Sequence, residues 1–412
     1  MSVAQDSRAD SLPDSQPYDR RLVGWLSLAQ LISWGSVFYT FAVLMEPVER
    51  ELGLTRTQSS LAFSLALLAE GVLAYPVGRW IDKGHERWVM TAGSLLMGVC
   101  LLLHSGVSNA AGFYAVWLGL GAGLAATLYN PVFAVVTRRF PHDFRRAIIT
   151  LTFLGGLAST VFIPLSAALV QSLGWRHALW VLAALHLLLC APLHWLLLRD
   201  APAVAAATDP QAGAPAMAAH LRSPAFLAIG VFVVGMMGVT AALPPHMISL
   251  LRGSGLAEAW VIGIPASIGL IQVLGRLLLF FFEHHFDLHL ANRLIPTLIP
   301  LGLATLLAGA GHPWAALLFV LLYGLGNGML TIVKGTAIAQ YVSREHVASL
   351  NGALGLPTAL ARAAAPLLLG VLWNERSGYA QGLWLLLAMS VAAALALMLA
   401  QRRALRANAK PA

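Results

Sequence analysis

The sequence predicts an all-α integral membrane protein: twelve transmembrane helices arranged as two six-helix halves, with both termini cytoplasmic. Three observations predict it. Of its 412 residues 58% are hydrophobic and only 11% are charged, against about 25% charged in soluble domains, and the shortfall runs the whole length of the chain. The apolar runs are continuous rather than alternating, which excludes a β-barrel, and at roughly 20 residues per helical span the length holds about twelve spans with short loops. Lys and Arg are also distributed unevenly. With the amino terminus inside, 17 of the 26 fall on the cytoplasmic side, 5 fall outside, and Arg79, Arg276, Lys334 and Arg362 lie within spans. That asymmetry sets the orientation.

Taken in order, residues 1–21 are polar, mixed in charge and rich in Ser, Asp and Pro, the composition of a disordered tail. The first apolar run is too long for the core of a signal peptide and reads as a retained helix. The expected spans are 22–46, 58–81, 88–107, 112–137, 148–172 and 176–198, then 224–250, 259–282, 293–311, 314–341, 350–373 and 380–400. Residues 199–223 are rich in Ala and Pro and read as a cytoplasmic linker between the halves 22–198 and 224–400. Residues 401–412 form a short cytoplasmic tail. An internal repeat supports two parallel halves: Gly119-Leu120-Gly121-Ala122-Gly123 in the fourth span matches Gly324-Leu325-Gly326-Asn327-Gly328 in the tenth, and Gly78-Arg79 matches Gly275-Arg276. Those glycines permit close helix packing.

Several function classes fall away. The net charge of +8 comes without a long basic run or a basic soluble domain, so nucleic acid is not the expected partner. Cys100 and Cys190 both sit in apolar runs and suggest neither a disulfide framework nor a metal site. No soluble domain, phosphate-cradling loop, metal-ligand cluster or nucleophile motif points to an enzyme or to a cofactor.

A charge at a helix centre costs about 2.5–3.5 kcal/mol on insertion scales, so each intramembrane charge demands a reason. Glu70 stands midway along the second span, about 18 Å of helix from either end. It is either a proton-coupling carboxyl or a protonated glutamate bonded to a neighbouring helix. Arg362 lies near the middle of the eleventh span, with Gly355 and Thr358 on the same face. Arg276 and Lys334 lie roughly 10 Å inside the cytoplasmic end, a distance their side chains can also cover by snorkelling. Gln30, Trp34 and Tyr39 in the first span and Tyr129 and Asn130 in the fourth are further candidates to line a pathway, with packing or interface anchoring as the alternative. Pro244-Pro245-His246 is expected to break the seventh span near its outer end, leaving His246 at the outer interface. His186 and His194 are expected to be packing or interface residues.

The densest charge cluster is Gly78-Arg79-Trp80-Ile81-Asp82-Lys83-Gly84-His85-Glu86-Arg87, between the second and third spans. Gly78, Asp82, Lys83, Gly84 and Arg87 resemble the signature loop of the major facilitator superfamily, with the spacing altered because Gly84 directly follows Lys83. With twelve spans, the chain resembles that family over residues 22–400. The first span, from Trp34-Gly35-Ser36-Val37-Phe38-Tyr39 to Glu51-Leu52-Gly53-Leu54-Thr55-Arg56-Thr57, is similar to the bacterial monocarboxylate-porter-like branch. Arg276 stands where that branch often has a substrate-binding Arg, although Gln272 replaces the acidic residue usual four positions earlier. The fifth span lacks the Gly-Pro motif of many drug/proton antiporters.

The resemblance implies secondary active transport by alternating access in a bacterial inner membrane, by a monomer, with a small molecule and protons as partners. Arg276, Lys334 and Arg362 would make a cavity biased toward a small organic anion such as a monocarboxylate, lined also by Trp34, Tyr39, Tyr129 and Asn130, with Glu70 as the proton carrier. Proton-driven efflux of drug-like, aromatic or metalloid compounds is the alternative. Gly78, Asp82, Lys83 and Arg87 would form a cytoplasmic gate, with Asp82 accepting from the start of the eleventh span and from Arg138, Arg139 or Arg145 when the carrier is open outward. Simple topology-setting by Asp82 and Lys83 is the plainer alternative.

Overall fold

A computed structural model of the chain describes residues 18–140, 143–199, 219–282, 288–309, 311–343 and 347–408. Residues 1–17 of the expected tail, 200–218 of the expected linker and 409–412 lie outside the described residues. Eleven helical stretches are long and apolar enough to cross a membrane. One of them, Arg146–Leu197, has 52 residues, about 78 Å as a straight helix against a hydrocarbon core of about 30 Å. It is two helices, because Gly174 sits at φ 78° and ψ 159°, outside helical geometry and in a region glycine tolerates.

The described helices therefore make twelve passages. They are α1 (Arg20–Leu52), α2 (Arg56–Asp82), α3 (Glu86–Ser105), α4 (Ala110–Arg139), α5 (144–173), α6 (175–197), α7 (Pro224–Gly253), α8 (Glu258–Phe282), α9 (His289–Ala308), α10 (Pro313–Tyr341), α11 (Leu350–Val371) and α12 (Ala380–Asn408).

Several ends extend beyond the apolar runs because polar side chains support them. Asp19 caps α1 through the Arg21 and Leu22 amides, at 2.8 and 3.2 Å. The Thr55 hydroxyl accepts from the Gln58 amide while the Gln58 side chain accepts from the Thr55 amide, a reciprocal capping box that starts α2. α1 continues past residue 46 to Leu52 and carries Pro47 within it.

The expected break in α7 is absent: the helix runs through Pro244 and Pro245. Pro244 has no N–H to give to the carbonyl one turn back, at Thr240. The Tyr323 hydroxyl of α10 supplies that donor at 3.1 Å, which lets the helix continue. His246 is correspondingly not at an interface. It is fully buried, hydrogen-bonded to the Tyr379 hydroxyl at 3.0 Å and to the Pro366 carbonyl at 2.9 Å.

Two apolar clusters built mainly from α1–α6 and one built mainly from α7–α12 form the interior. Large apolar side chains such as Leu103, Leu188, Leu227, Val231 and Leu395 stay exposed on the outside, as expected where lipid is the solvent. Glycines bring repeat-related helices together. A Cβ on Gly121 would fall 2.2 Å from the Ala66 carbonyl of α2, and one on Gly328 would fall 2.2 Å from the Gln272 carbonyl of α8.

α1 and α6 each contain one π-helical stretch, Trp34–Tyr39 and Leu185–Cys190, and the two meet where the Ser36 hydroxyl bonds His186 Nε2 at 2.7 Å. His194 pairs similarly with Ser94 at 2.9 Å. Both histidines are buried packing residues.

Candidate translocation site

Between the halves lies a cavity of about 950 Å³. Trp34, Tyr39, Glu70, Tyr129, Asn130, Arg276, Lys334 and Arg362 all line it, although they come from six different helices. Its charged lining is one carboxylate and three cations. Arg362 reaches from α11 to α2 and presents both terminal nitrogens to Glu70, Nη1 to Oε1 at 3.3 Å and Nη2 to Oε2 at 3.2 Å. This forked contact joins the halves across the cavity. Lys334 is differently placed. Its Nζ meets Met237 Sδ at 3.7 Å, and no carboxylate pairs with it among the described residues.

Three lining helices are discontinuous at the cavity. α4 breaks at Leu128, where ψ is −161°, α5 breaks at Leu157, and α11 breaks at Leu354. A break strands backbone carbonyls that hydrocarbon cannot satisfy. Gln30 Nε2 donates to the Thr127 carbonyl at the end of the first half of α4. Arg276 donates Nη1 to the Thr152 carbonyl of α5 at 2.7 Å and Nε to the Gly328 carbonyl of α10 at 3.3 Å. Arg276 thus lines the cavity while tying α8 to α5 and α10. Gln30, fully buried, caps the first half of α4.

On the face carrying the α1–α2, α7–α8 and α11–α12 connections, the halves are tied together. Arg56 at the start of α2 donates to Ser249 of α7 and to the hydroxyl of Tyr379, and pairs with Glu49 at 3.0 Å. Glu46 accepts from Ser249 and Arg252. The Arg56 guanidinium also lies 5.1 Å from the Trp373 ring centre. Burial pushes the Tyr379 phenol up to about 12, so its hydroxyl keeps its proton at ordinary pH. Gly370 packs on Ser60 beneath this network. The cavity opens the other way, past Tyr75 and Leu356, which are 73% and 64% exposed. Its mouth lies on the face where α2 turns into α3.

The sequence model of the Major Facilitator Superfamily matches residues 26–285, more than half of the chain. The chain belongs to the Major Facilitator Superfamily. An MFS-type efflux pump of Mycolicibacterium smegmatis is 30% identical over 268 residues, 62% of this chain and 60% of that protein. A probable L-galactonate transporter of Escherichia coli is 28% identical over 135 residues, 31% of this chain and 28% of that protein. The alignments therefore span less than two thirds of either relative. Among solved structures, a bacterial homologue of the lysosomal transporter Spinster, in an inward-facing and unoccupied conformation, superposes with a TM-score of 0.71 at 17% identity, covering 97% of this chain and all of the other. The nucleoside transporter NupG superposes with a TM-score of 0.71 at 17% identity, covering 92% and 98%.

In this superfamily member the turn from α2 to α3 does not touch the cavity: Gly78, Asp82, Lys83 and Arg87 are absent from its lining. Gly84 adopts φ 88°, the left-handed conformation that makes glycine the fitting residue directly after Lys83. In this conformation the arginines beside Asp82 bond other groups. Arg138 donates to the carbonyls of Ile81 and Asp82 and pairs with Glu86, which also takes Arg139 at 2.7 Å. Glu86 is fully buried, whereas Asp82 is exposed. Two guanidiniums converge on the carboxylate that has lost its water, because a buried charge needs partners more than a hydrated one does. Arg87 packs over the Trp195 ring at 3.6 Å and donates to the Trp195 carbonyl at 2.8 Å, fixing α3 against α6. The side chain of Arg145 lies outside the described residues.

Proposed function

We propose that the chain is a secondary active carrier that moves a small organic anion, such as a monocarboxylate, by alternating access coupled to protons. The observation that carries this is the cation surplus of the cavity, and above all Lys334, whose charge has no carboxylate opposite it among the described residues. A lone ammonium in a low-dielectric cavity gains strongly from an anionic ligand. The probable galactonate transporter, whose substrate is itself an organic anion, supports the choice.

In the proposed cycle the substrate carboxylate binds Lys334 and competes with Glu70 for Arg362. Glu70, released from its partner, takes a proton on a carboxylate oxygen. The empty site carries two net positive charges, and one monocarboxylate bound with one proton leaves that number unchanged. The halves 22–198 and 224–400, joined by the linker 199–223, would rock about this site. The positively charged loops argue that the open face is cytoplasmic, which makes this arrangement inward-open, with the Arg56 network as its closed outer lock. The turn bearing Gly78, Asp82, Lys83 and Arg87 would engage α11 only in the opposite state. The bacterial relatives support an inner-membrane location. A monomer suffices for the cycle, with no cofactor and no nucleic-acid partner.

The test is uptake of a panel of carboxylates into proteoliposomes, with and without a pH gradient. Stimulation of one of them by a proton gradient is expected. Failure of every carboxylate under both conditions refutes the anion assignment. Efflux is the second reading, favoured by the likeness to the mycobacterial efflux pump. In that case Glu70 would exchange protons against an exported compound, and transport would run against the gradient direction seen for symport.

A further inference from the structure

We infer that the substrate is an aromatic carboxylate, its ring lying against a wall formed by Trp34, Phe38, Tyr39 and Tyr129 and its carboxylate held at Lys334. This rests on the anion reading above and narrows it.

The wall is a continuous run of rings. Trp34 lies 5.1 Å from Phe38 and 5.2 Å from Tyr129, and Phe38 lies 5.2 Å from Tyr39. It is built by two irregularities already described. The π-helical turn of α1 carries Trp34, Phe38 and Tyr39, and the break at Leu128 places Tyr129 at the start of a new helix. Both are held from behind. A Cβ on Gly35 would fall 2.1 Å from the Phe162 ring, and Phe38 packs on Phe63 at 5.2 Å. The rings are therefore positioned before any ligand arrives, which lowers the ordering cost of stacking.

Part of this wall is open to a ligand: Trp34 and Tyr39 are half-buried and line the cavity, whereas Phe38 is buried behind them and Tyr129 stacks one face on Phe133 at 5.2 Å. Six cation–π contacts occur among the described residues, and none of them uses Trp34, Phe38, Tyr39 or Tyr129. An electron-rich wall and an unpaired ammonium lining the same cavity suit a ligand with a flat apolar body and one anionic end.

The polar lining bears on the main competitor, a polyhydroxylated acid, for which Asn130, Gln272, Asn327 and Thr358 remain to serve. Recognising many hydroxyls needs many free donors and acceptors, and here several are already used within the protein. The hydroxyls of Thr240 and Thr331 donate to their own helix at 2.9 Å each. The Tyr323 hydroxyl serves the Thr240 carbonyl, and Arg276 serves Thr152 and Gly328. A cavity of about 950 Å³ has room for one or two fused rings with their substituents.

The experiment measures binding of four probes to the purified full-length protein by isothermal titration. They are 2-naphthoate, cyclohexanecarboxylate, gluconate and naphthylmethylammonium. We expect 2-naphthoate to bind at least 10-fold more tightly than either non-aromatic acid. Trp34→Leu and, separately, Tyr129→Leu should erase that preference while keeping cyclohexanecarboxylate affinity within threefold, and Lys334→Gln should weaken all three acids at least 10-fold. Equal affinity for 2-naphthoate and either non-aromatic acid, or an unchanged preference in whichever ring variant retains cyclohexanecarboxylate binding, overturns the aromatic inference and leaves the anion reading standing. Binding of naphthylmethylammonium with no binding of any acid overturns both.

Discussion

Replacing Arg56 with Gln should shift the protein away from the state in which the Arg56 network is closed and toward the opposite one. Arg56 makes two bonds that cross between the halves, to Ser249 and to Tyr379, and its side chain is only 11% exposed. Hydrogen bonds to a charged group contribute about 1.5–3 kcal/mol each. Glutamine at this position is shorter and uncharged, and solvent at the rim screens part of the interaction. We therefore expect a loss of about 2–4 kcal/mol that applies only to the state in which these contacts exist. At about 1.4 kcal/mol per decade that is a shift of roughly 30- to 700-fold in the conformational equilibrium. The intrahalf pair with Glu49 is lost in both states and does not enter the difference. Spin labels at Leu54 and Arg376, on opposite sides of the lock, report the change by pulsed electron resonance as a longer inter-label distance. An unchanged distance distribution in a folded Arg56→Gln protein refutes the lock.

Three further outcomes follow from the site. Glu70→Gln should abolish transport driven by a pH gradient while preserving exchange of internal for external substrate, measured in proteoliposomes; intact gradient-driven uptake would remove Glu70 from proton coupling. Arg276→Gln should reduce the transport rate at least 10-fold with KM changed less than threefold, because it unties α8 from α5 and α10 rather than removing a ligand contact; a large rise in KM alone would support the substrate-binding role instead. Gly328→Ala should destabilise the α8–α10 contact by about 1–3 kcal/mol, since its Cβ would meet the Gln272 backbone at 2.2 Å; a melting curve in detergent that matches the unsubstituted protein would contradict this packing.

The intramembrane charges were legible because hydrocarbon makes them conspicuous. Glu70, Arg276, Lys334 and Arg362 each interrupted an apolar run, and all four line one cavity. Their pairing was not legible, because Glu70 and Arg362 are 292 residues apart and only the docking of α2 against α11 brings them together. The lock escaped for the opposite reason. Glu46, Glu49, Arg56 and Arg252 stand near helix ends, where charge costs little, so nothing marked them out from ordinary loop charges. The helix breaks carried no mark of their own either. Leu128, Leu157 and Leu354 are ordinary helix formers, and it is a tertiary bond from Gln30 to the Thr127 carbonyl that makes the first break tolerable. Similarly, Pro244 looked like a helix break because its substitute donor, Tyr323, lies in another span.

The π-helical turn in α1 has a consequence for how sequence and geometry are phased. Each helical residue advances the azimuth by about 100°, and a π turn accommodates one more residue than an α turn before the chain resumes its course. Trp34, Phe38 and Tyr39 therefore face the cavity in one phase, while Glu46 and Glu49, about two to three turns on, meet the lock in another. Deleting a single residue from 34–39 would restore a uniform helix that leaves the lock carboxylates in phase with Arg56 and Arg252, and would turn the ring-bearing residues of the stretch itself out of place. The bulge works as a clutch between two surfaces of one helix, letting the substrate wall and the outer closure vary without dragging each other out of register.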